Sequence, residues 1–186
     1  MSYIDEFITF SRSHEMLALK LFPNAKEITE SFAAYAAVRT HVGADLKNEN
    51  IAVLCVGDGR VPRTAATFAM RSRWTCLSVD PAMKEKWTKR EIISRLQAFS
   101  RKIEDVGFNS YFGTSPSLGF DRAIVVAVHS HASLLESLHA ARDLSSKVSV
   151  VSIPCCVKED LHNPDVSYED MGIDSPARRV NVWRAA

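Results

Sequence analysis

Apolar residues gather in short, nearly unbroken runs at 51–56 (IAVLCV), 75–79 (TCLSV), 122–128 (RAIVVAV) and 147–153 (KVSVVSI). Runs of this length, rich in Val and bounded by turn residues, read as buried strands of a parallel sheet. Between them the spacing of apolar positions lengthens to a helical one. A helix is expected over 62–72, opened by Pro62, whose missing N–H is harmless in a first turn. Another is expected after Thr88-Lys89-Arg90-Glu91, a capping-box pattern, with Ile92, Ile93, Leu96 and Phe99 on its apolar face. Ser133-Leu134-Leu135-Glu136 is a second such box, opening a helix with Leu134, Leu138 and Ala141 on one stripe. Ahead of the first strand, two helices are expected over 3–20 and 29–42, divided at Pro23-Asn24 and stopped by Gly43; Phe32, Ala33, Ala36 and Val38 give the second its small-residue face. Residues 103–108 are a candidate third strand and 109–119 a loop. The polar stretch after Cys156 reads as a long irregular segment, and the alternation over 178–184 as a half-exposed edge strand.

This alternation of strands and helices implies an α/β fold: an open, mainly parallel Rossmann-like sheet with helices on both faces, N-terminal helices and a C-terminal edge strand. At 186 residues one domain is expected, with a helical part over 1–45, a nucleotide-binding core over 51–156, and a loop and edge strand over 157–186. Apolar residues make up 46% and charged ones 24%, which excludes a disordered chain. Lys and Arg number 23 against 22 Asp and Glu, so bulk charge gives no nucleic-acid footprint. Local basic clusters remain at 71–73 (RSR) and 84–90 (KEKWTKR), read first as solvated helix ends. No run approaches the ~18 apolar residues of a membrane span, and MSYIDEFITF is acidic where an export signal is basic. A cytoplasmic location and no membrane partner are therefore expected. Cys55 and Cys76 lie inside strands, and Cys155 and Cys156 follow the last parallel one, which is no disulfide framework.

The chemistry is expected where such sheets bind ligands, at the carboxyl ends of the strands. The first run ends in Gly57-Asp58-Gly59, and the second ends in Asp80 before Pro81. Strand, glycine turn, helix, strand and acid in that order are the layout of a unit that holds an adenosine-like group. In it the glycines bring backbone N–H groups close to the ligand, and the acid accepts from ribose hydroxyls. The bland alternative is an ordinary turn, with Asp80 capping the next element and Asp58 facing solvent. His129-Ser130-His131 follows the fourth strand and offers a base of ordinary pKa ~6.5; alternatively Ser130 and Ser133 cap a helix and the histidines are surface groups. Pro154-Cys155-Cys156 follows the fifth, where a thiol could use His129 or His131 as its base. With His162 these residues match no standard zinc spacing, so no metal is expected.

Taken together, residues 51–156 resemble the class I S-adenosylmethionine-dependent methyltransferases. VLCVGDGRVPRTA stands for their first motif, SVDP with Asp80 for the second, and VAVHSHASLLESL for the fourth. VAVHSHASLLESL and VVSIPCC together are also similar to methyltransferase-like proteins related to tRNA methylases, with a His-containing motif after one strand and a Cys-Cys pair after the next. The resemblance implies S-adenosylmethionine as cofactor, contacted by Gly57, Asp58, Gly59, Asp80, Pro81 and Ser130. It implies catalytic roles for His129 and Cys155, and an unidentified methyl acceptor with RNA as the leading candidate. The chain departs from the family in having Cys55 where an acid precedes the first glycine, and Val61-Pro62 in the region of the third glycine. No Asn/Asp-Pro-Pro-Tyr motif is present, and the shortness of the last region predicts an incomplete antiparallel hairpin. An NAD(P)-binding oxidoreductase and a non-catalytic Rossmann-like binding module are the alternatives; Pro62 breaks the GxGxxG pattern of the former.

Overall fold

The computed structural model of the chain describes residues 1–108, 119–155 and 160–185. Cys156 and nearly all of the expected 109–119 loop lie outside them. Seven strands form one sheet: β1 (Ile51–Val56), β2 (Thr75–Val79), β3 (Leu96–Phe99), β4 (Arg122–Val128), β5 (Val148–Ile153), β6 (Val166–Glu169) and β7 (Arg179–Trp183). Their order is β3-β2-β1-β4-β5-β7-β6. The first five run parallel, and β7 joins β5 antiparallel, with β6 antiparallel to β7.

Strand residues alternate between two apolar layers, as a pleated sheet buried on both faces requires. Val53, Cys55, Ile124, Val126, Val151 and Ile153 point into one layer, with Phe32, Phe68 and Trp74. Ala52, Leu54, Val56, Val125 and Val150 point into the other, with Phe108, Leu134 and Leu144. The first layer is covered by α1 (Tyr3–Thr9), α2 (Ser13–Ala18), α3 (Ala25–Ala37) and α4 (Arg63–Arg71). A short α5 (Glu85–Thr88) precedes β3, and α6 (Leu134–Arg142) covers the second layer.

Several expectations are corrected. The single helix over 3–20 is two, because Phe10 turns extended and its ring stacks 5.4 Å from the Arg71 guanidinium. That guanidinium also lies 4.5 Å from Phe32 and 4.3 Å from Tyr35 and pairs with Glu6, so the first basic cluster is partly inside the protein. α3 starts at Ala25 rather than at 29, since Asn24 accepts from the backbone N–H of Glu27 at 3.0 Å and so caps it. It runs into a π-helical turn, Val38–Val42, and stops at Gly43 with φ +66°. The expected helix after Thr88 does not form: α5 ends there, and turns lead to Arg95, whose φ of +64° is left-handed, before the chain from Leu96 pairs with β2. The strand expected at 103–108 is a 3₁₀ turn over Ile103–Asp105. The terminal antiparallel hairpin is complete. β7 lies one place inside the edge with Val180, Asn181 and Val182 buried, and the edge strand is β6, from the stretch expected to be irregular.

Candidate functional site

The strand order reverses between β1 and β4, and the crevice at their carboxyl ends is where a doubly wound sheet receives ligands. Ladder bonds run on past the strand ends and fix the residues there. Gly57 N–H donates to the Val79 carbonyl (2.9 Å), Asp80 N–H to Phe99 (3.1 Å) and His129 N–H to Ile153 (2.8 Å).

The two glycines of the turn have left-handed backbones, φ +72° at Gly57 and +78° at Gly59, so the turn selects glycine on conformation alone. They differ in what faces them. A Cβ on Gly57 would stand 2.2 Å from the Ser130 Oγ and 2.9 Å from its Cα, whereas one on Gly59 would meet only the tip of Arg63, at 3.3 Å. Gly57 thus makes room for the β4 loop of the protein itself, and the open side of the turn is at Gly59. Ser130 Oγ in turn accepts from the Ala132 N–H at 3.0 Å, bracing that loop.

Asp58 does not face open solvent, and it lines the smaller cavity at the turn. It is 6% exposed and accepts from Thr64 N–H (2.9 Å), Ala65 N–H (3.1 Å) and Ser78 Oγ (2.9 Å). It satisfies the first N–H groups of α4, a role that usually falls to a neighbouring cap residue. Burial raises its pKa, and the hydrogen bonds from Ala65, Thr64 and Ser78 oppose that rise. Cys55, in the place of the family's acid, is buried, and burial pushes its thiol well above the ordinary range, so it stays neutral. Asp80 lies half-exposed at the rim. Its Oδ2 accepts from Gly59 N–H at 2.8 Å and its Oδ1 from Ala82 N–H at 2.7 Å, which leaves each oxygen a lone pair for a ligand hydroxyl.

Two cavities flank the turn and share Gly57. One of about 310 Å³ is lined by Val79, Asp80, Pro81, Ile103 and, farther out, Arg101, Lys102, Glu104 and His131. The other, about 170 Å³, is walled by Lys26, Glu27, Glu30, Arg63 and His129 with the turn beneath. The first mixes an apolar wall with the Asp80 acceptor, and the second is lined by charges of both signs. A further cavity of about 330 Å³ under α5 starts from the amino ends of β2 and β3, away from this chemistry.

His129 takes a left-handed backbone, φ +49°, uncommon for any residue but glycine, which directs its ring toward α3. Its Nε2 lies 2.8 Å from Oε1 of Glu30, whose side chain is 2% exposed, and Lys26 Nζ lies 3.5 Å from the same oxygen. The contact with Glu30 raises the imidazole pKa above its ordinary value, outweighing burial, which lowers it; Cys155 adds to the rise and Lys26 opposes it. Cys155 Sγ donates to the His129 carbonyl oxygen at 3.8 Å. The structure therefore brings His129 and Cys155 together at one sheet edge, with Gly57, Gly59, Asp80, Pro81 and Ser130 around the neighbouring turn. Ser133, rather than Ser130, caps α6, accepting from Glu136 N–H, and Asp160 reinforces that cap by accepting from Leu134 N–H. Glu30, Glu27, Lys26 and Arg63 also line the smaller cavity, and sequence reasoning missed them. Among the described residues no group of three His, Cys, Asp or Glu side chains is disposed to hold a metal ion, and no helix is long and apolar enough to cross a membrane.

Comparison by sequence finds no matching protein-family model and no matching curated protein. Comparison of the fold finds solved structures. A point mutant of MtNAS in complex with S-adenosylmethionine superposes with a TM-score of 0.51 and 11% identity, over 99% of this chain and 71% of that one. A SAM-dependent methyltransferase from Aquifex aeolicus gives 0.46 and 14%, over 84% and 79%. Coclaurine N-methyltransferase bound to N-methylheliamine and SAH gives 0.45 and 11%, over 81% of this chain and 49% of that one, so the chain spans about half of its length. At such identities the likeness is one of fold. The chain has a seven-stranded, mainly parallel Rossmann-like sheet, and over nearly its whole length that fold is like the one in MtNAS.

Proposed function

We propose that this chain binds S-adenosylmethionine and transfers its methyl group to an acceptor. The observation that carries the reading is the pair of unlike cavities meeting at Gly57, because the cofactor has two unlike halves. The larger cavity suits the adenosine half, with Asp80 accepting from the ribose hydroxyls and Val79, Pro81 and Ile103 as the apolar wall. The smaller suits an amino-acid end, which carries an ammonium and a carboxylate, because it is lined by charges of both signs, Lys26 beside Glu30 on α3 and Arg63 of α4 paired with Glu27. Gly57 and Gly59 let the backbone pass closely between the halves, Ser130 packs against Gly57 from the β4 side, and Asp58 holds the start of α4.

When bound, the cofactor supplies an electrophilic methyl group on a sulfonium. The chain's own residues then position the acceptor and receive its proton. His129 is the group that takes this proton, since the imidazolium so formed is stabilised by Glu30, 2.8 Å away. Transfer should consequently rise with pH as His129 loses its own proton. Cys155, in contact with His129, completes the polar group at this edge. For the acceptor, the RNA reading rests on the resemblance to tRNA-methylase-related proteins and on the basic clusters at 71–73 and 84–90; in the latter Lys89 pairs with Glu85 and Lys86 lies over the Trp87 ring.

Thermal shift with S-adenosylmethionine, S-adenosylhomocysteine, NAD and NADP tests the reading, since a ligand that binds only the native state raises its apparent stability. Stabilisation by the first two is expected. Stabilisation by NAD or NADP alone would favour an oxidoreductase. Binding of S-adenosylmethionine without methyl transfer to RNA, protein or small-molecule pools would leave a binding module.

A further inference from the structure

Three groups from distant parts of the chain converge beside the smaller cavity: Glu30 from α3, His129 after β4 and Cys155 just past β5. Glu30 and His129 Nε2 are in contact at 2.8 Å, and the Cys155 Sγ sits 3.8 Å from the His129 carbonyl oxygen, close enough to add to the rise in the imidazole pKa. Glu30 lines the cavity, its carboxylate is almost wholly buried, and its Oε1 has no aligned hydrogen bond. Burying a carboxylate in this way is costly unless charge compensates it, and Lys26 and the His129 ring supply that charge. Carboxylate, imidazole and thiol in sequence form the arrangement in which a base is oriented by a third group and activates a nucleophile. His129 holds this place with a left-handed backbone, its ring against Glu30 and its carbonyl against Cys155. Cys155 is also half-exposed, whereas Cys55 and Cys76 are buried, and burial raises both of their thiol pKa values.

We propose that Cys155 is an activated nucleophile, with Glu30 orienting His129 so that the imidazole takes the thiol proton and leaves a thiolate for soft, carbon-centred electrophiles. With iodoacetamide as the probe, the thiolate sulfur forms a bond to the CH₂ carbon. The carbon–iodine bond breaks, iodide leaves with its electron pair, and the proton stays on the imidazole beside Glu30. The site needs no cofactor, so this proposal stands or falls separately from methyl transfer.

The experiment labels a Cys156→Ser protein with iodoacetamide between about pH 5.5 and 9 and reads the Cys155 peptide by mass spectrometry. The midpoint of the labelling profile is expected at least about one unit below the ~8.5 of an ordinary thiol. His129→Ala should return it to that value, and Glu30→Gln should move it part of the way, with Glu30→Asp restoring some of the loss. Cys55 and Cys76 report on folding in the same digest, since both stay unlabelled while the core is intact. A parent midpoint at the ordinary value overturns the proposal. So does a lowered midpoint that neither substitution moves in a folded protein. If His129→Ala exposes the buried cysteines, the parent midpoint and the Glu30→Gln shift decide the matter.

Discussion

Alanine at Gly57 and alanine at Gly59 look alike in the sequence, yet the structure gives them different costs. Both positions have left-handed φ, at +72° and +78°, so either substitution places an L side chain in that region, a cost of roughly 1–2 kcal/mol. At Gly59 that is nearly all, because the nearest atom is the flexible tip of Arg63 at 3.3 Å. At Gly57 the new methyl would lie 2.2 Å from Ser130 Oγ, 2.6 Å from its Cβ and 2.9 Å from its Cα. The hydroxyl can rotate away, but the Cα belongs to the backbone of the β4 loop and must shift, which adds a further ~1–3 kcal/mol of overpacking. Gly57→Ala should therefore destabilise by about 2–5 kcal/mol, and Gly59→Ala by only about 1–2 kcal/mol. Urea denaturation of both variants measures the difference, provided the slope of the transition is unchanged. Adding Ser130→Gly to Gly57→Ala removes two of the three contacts and should recover part of the loss, together with part of any lost S-adenosylmethionine affinity. Equal costs at the two glycines, or no recovery in the double variant, would refute the assignment of the Gly57 gap to Ser130.

Asp80→Ala should weaken S-adenosylmethionine binding by ~1.5–3 kcal/mol, roughly ten- to hundredfold by calorimetry. It should also lower the melting temperature, because Gly59 and Ala82 lose their acceptor; unchanged affinity in folded protein would remove Asp80 from the site. Asp58→Ala leaves Thr64 N–H, Ala65 N–H and the Ser78 hydroxyl without their buried acceptor, at least ~1–3 kcal/mol, read by denaturation. The pH dependence follows from His129, whose folded pKa is raised chiefly by Glu30 from an ordinary 6.5. That stabilisation is complete below about 6.5 and is lost as pH rises through the raised value, because the folded state then holds the extra proton. Glu30→Gln should flatten the loss of stability over that window, and a profile as steep as the parent's would show that another group titrates there.

The parallel core was legible because burial on both faces leaves a strong signature. The strands 51–56, 75–79 and 122–128 are written as continuous apolar runs and are found at those bounds. β3 was not, because Ile92, Ile93, Leu96 and Phe99 satisfy a helical spacing while Leu96 and Ala98 also satisfy a strand's. What decides between them is the left-handed Arg95, whose guanidinium is held by the carbonyls of Ala69 and Ser72 at the end of α4, a tertiary contact no local window contains. β6 escaped for a different reason. Only Val166 and Tyr168 of its four residues face the core, and so brief an alternation inside a polar stretch is indistinguishable from loop.

The same distinction separates the two kinds of site residue. That Gly57, Gly59, Asp80, His129 and Cys155 lie together could be read in advance, because chain connectivity alone brings the carboxyl ends of parallel strands to one edge. Glu30 could not, since it comes from a helix outside the β-α-β units, and a Glu between Thr29 and Ser31 in a polar-looking turn of helix reads as solvated. Its one sequence signal is the company it keeps: Ile28, Phe32, Ala33 and Ala34 leave α3 apolar around much of its girth, and all are buried. A helix with so little room for a wet face is buried on most sides, and a charge within it needs a partner from elsewhere in the fold. The partner is His129, which the sequence marks by its position after a strand. An acid stranded in an apolar helix and a histidine at a strand end, each weak evidence alone, are explained together by the 2.8 Å contact between them.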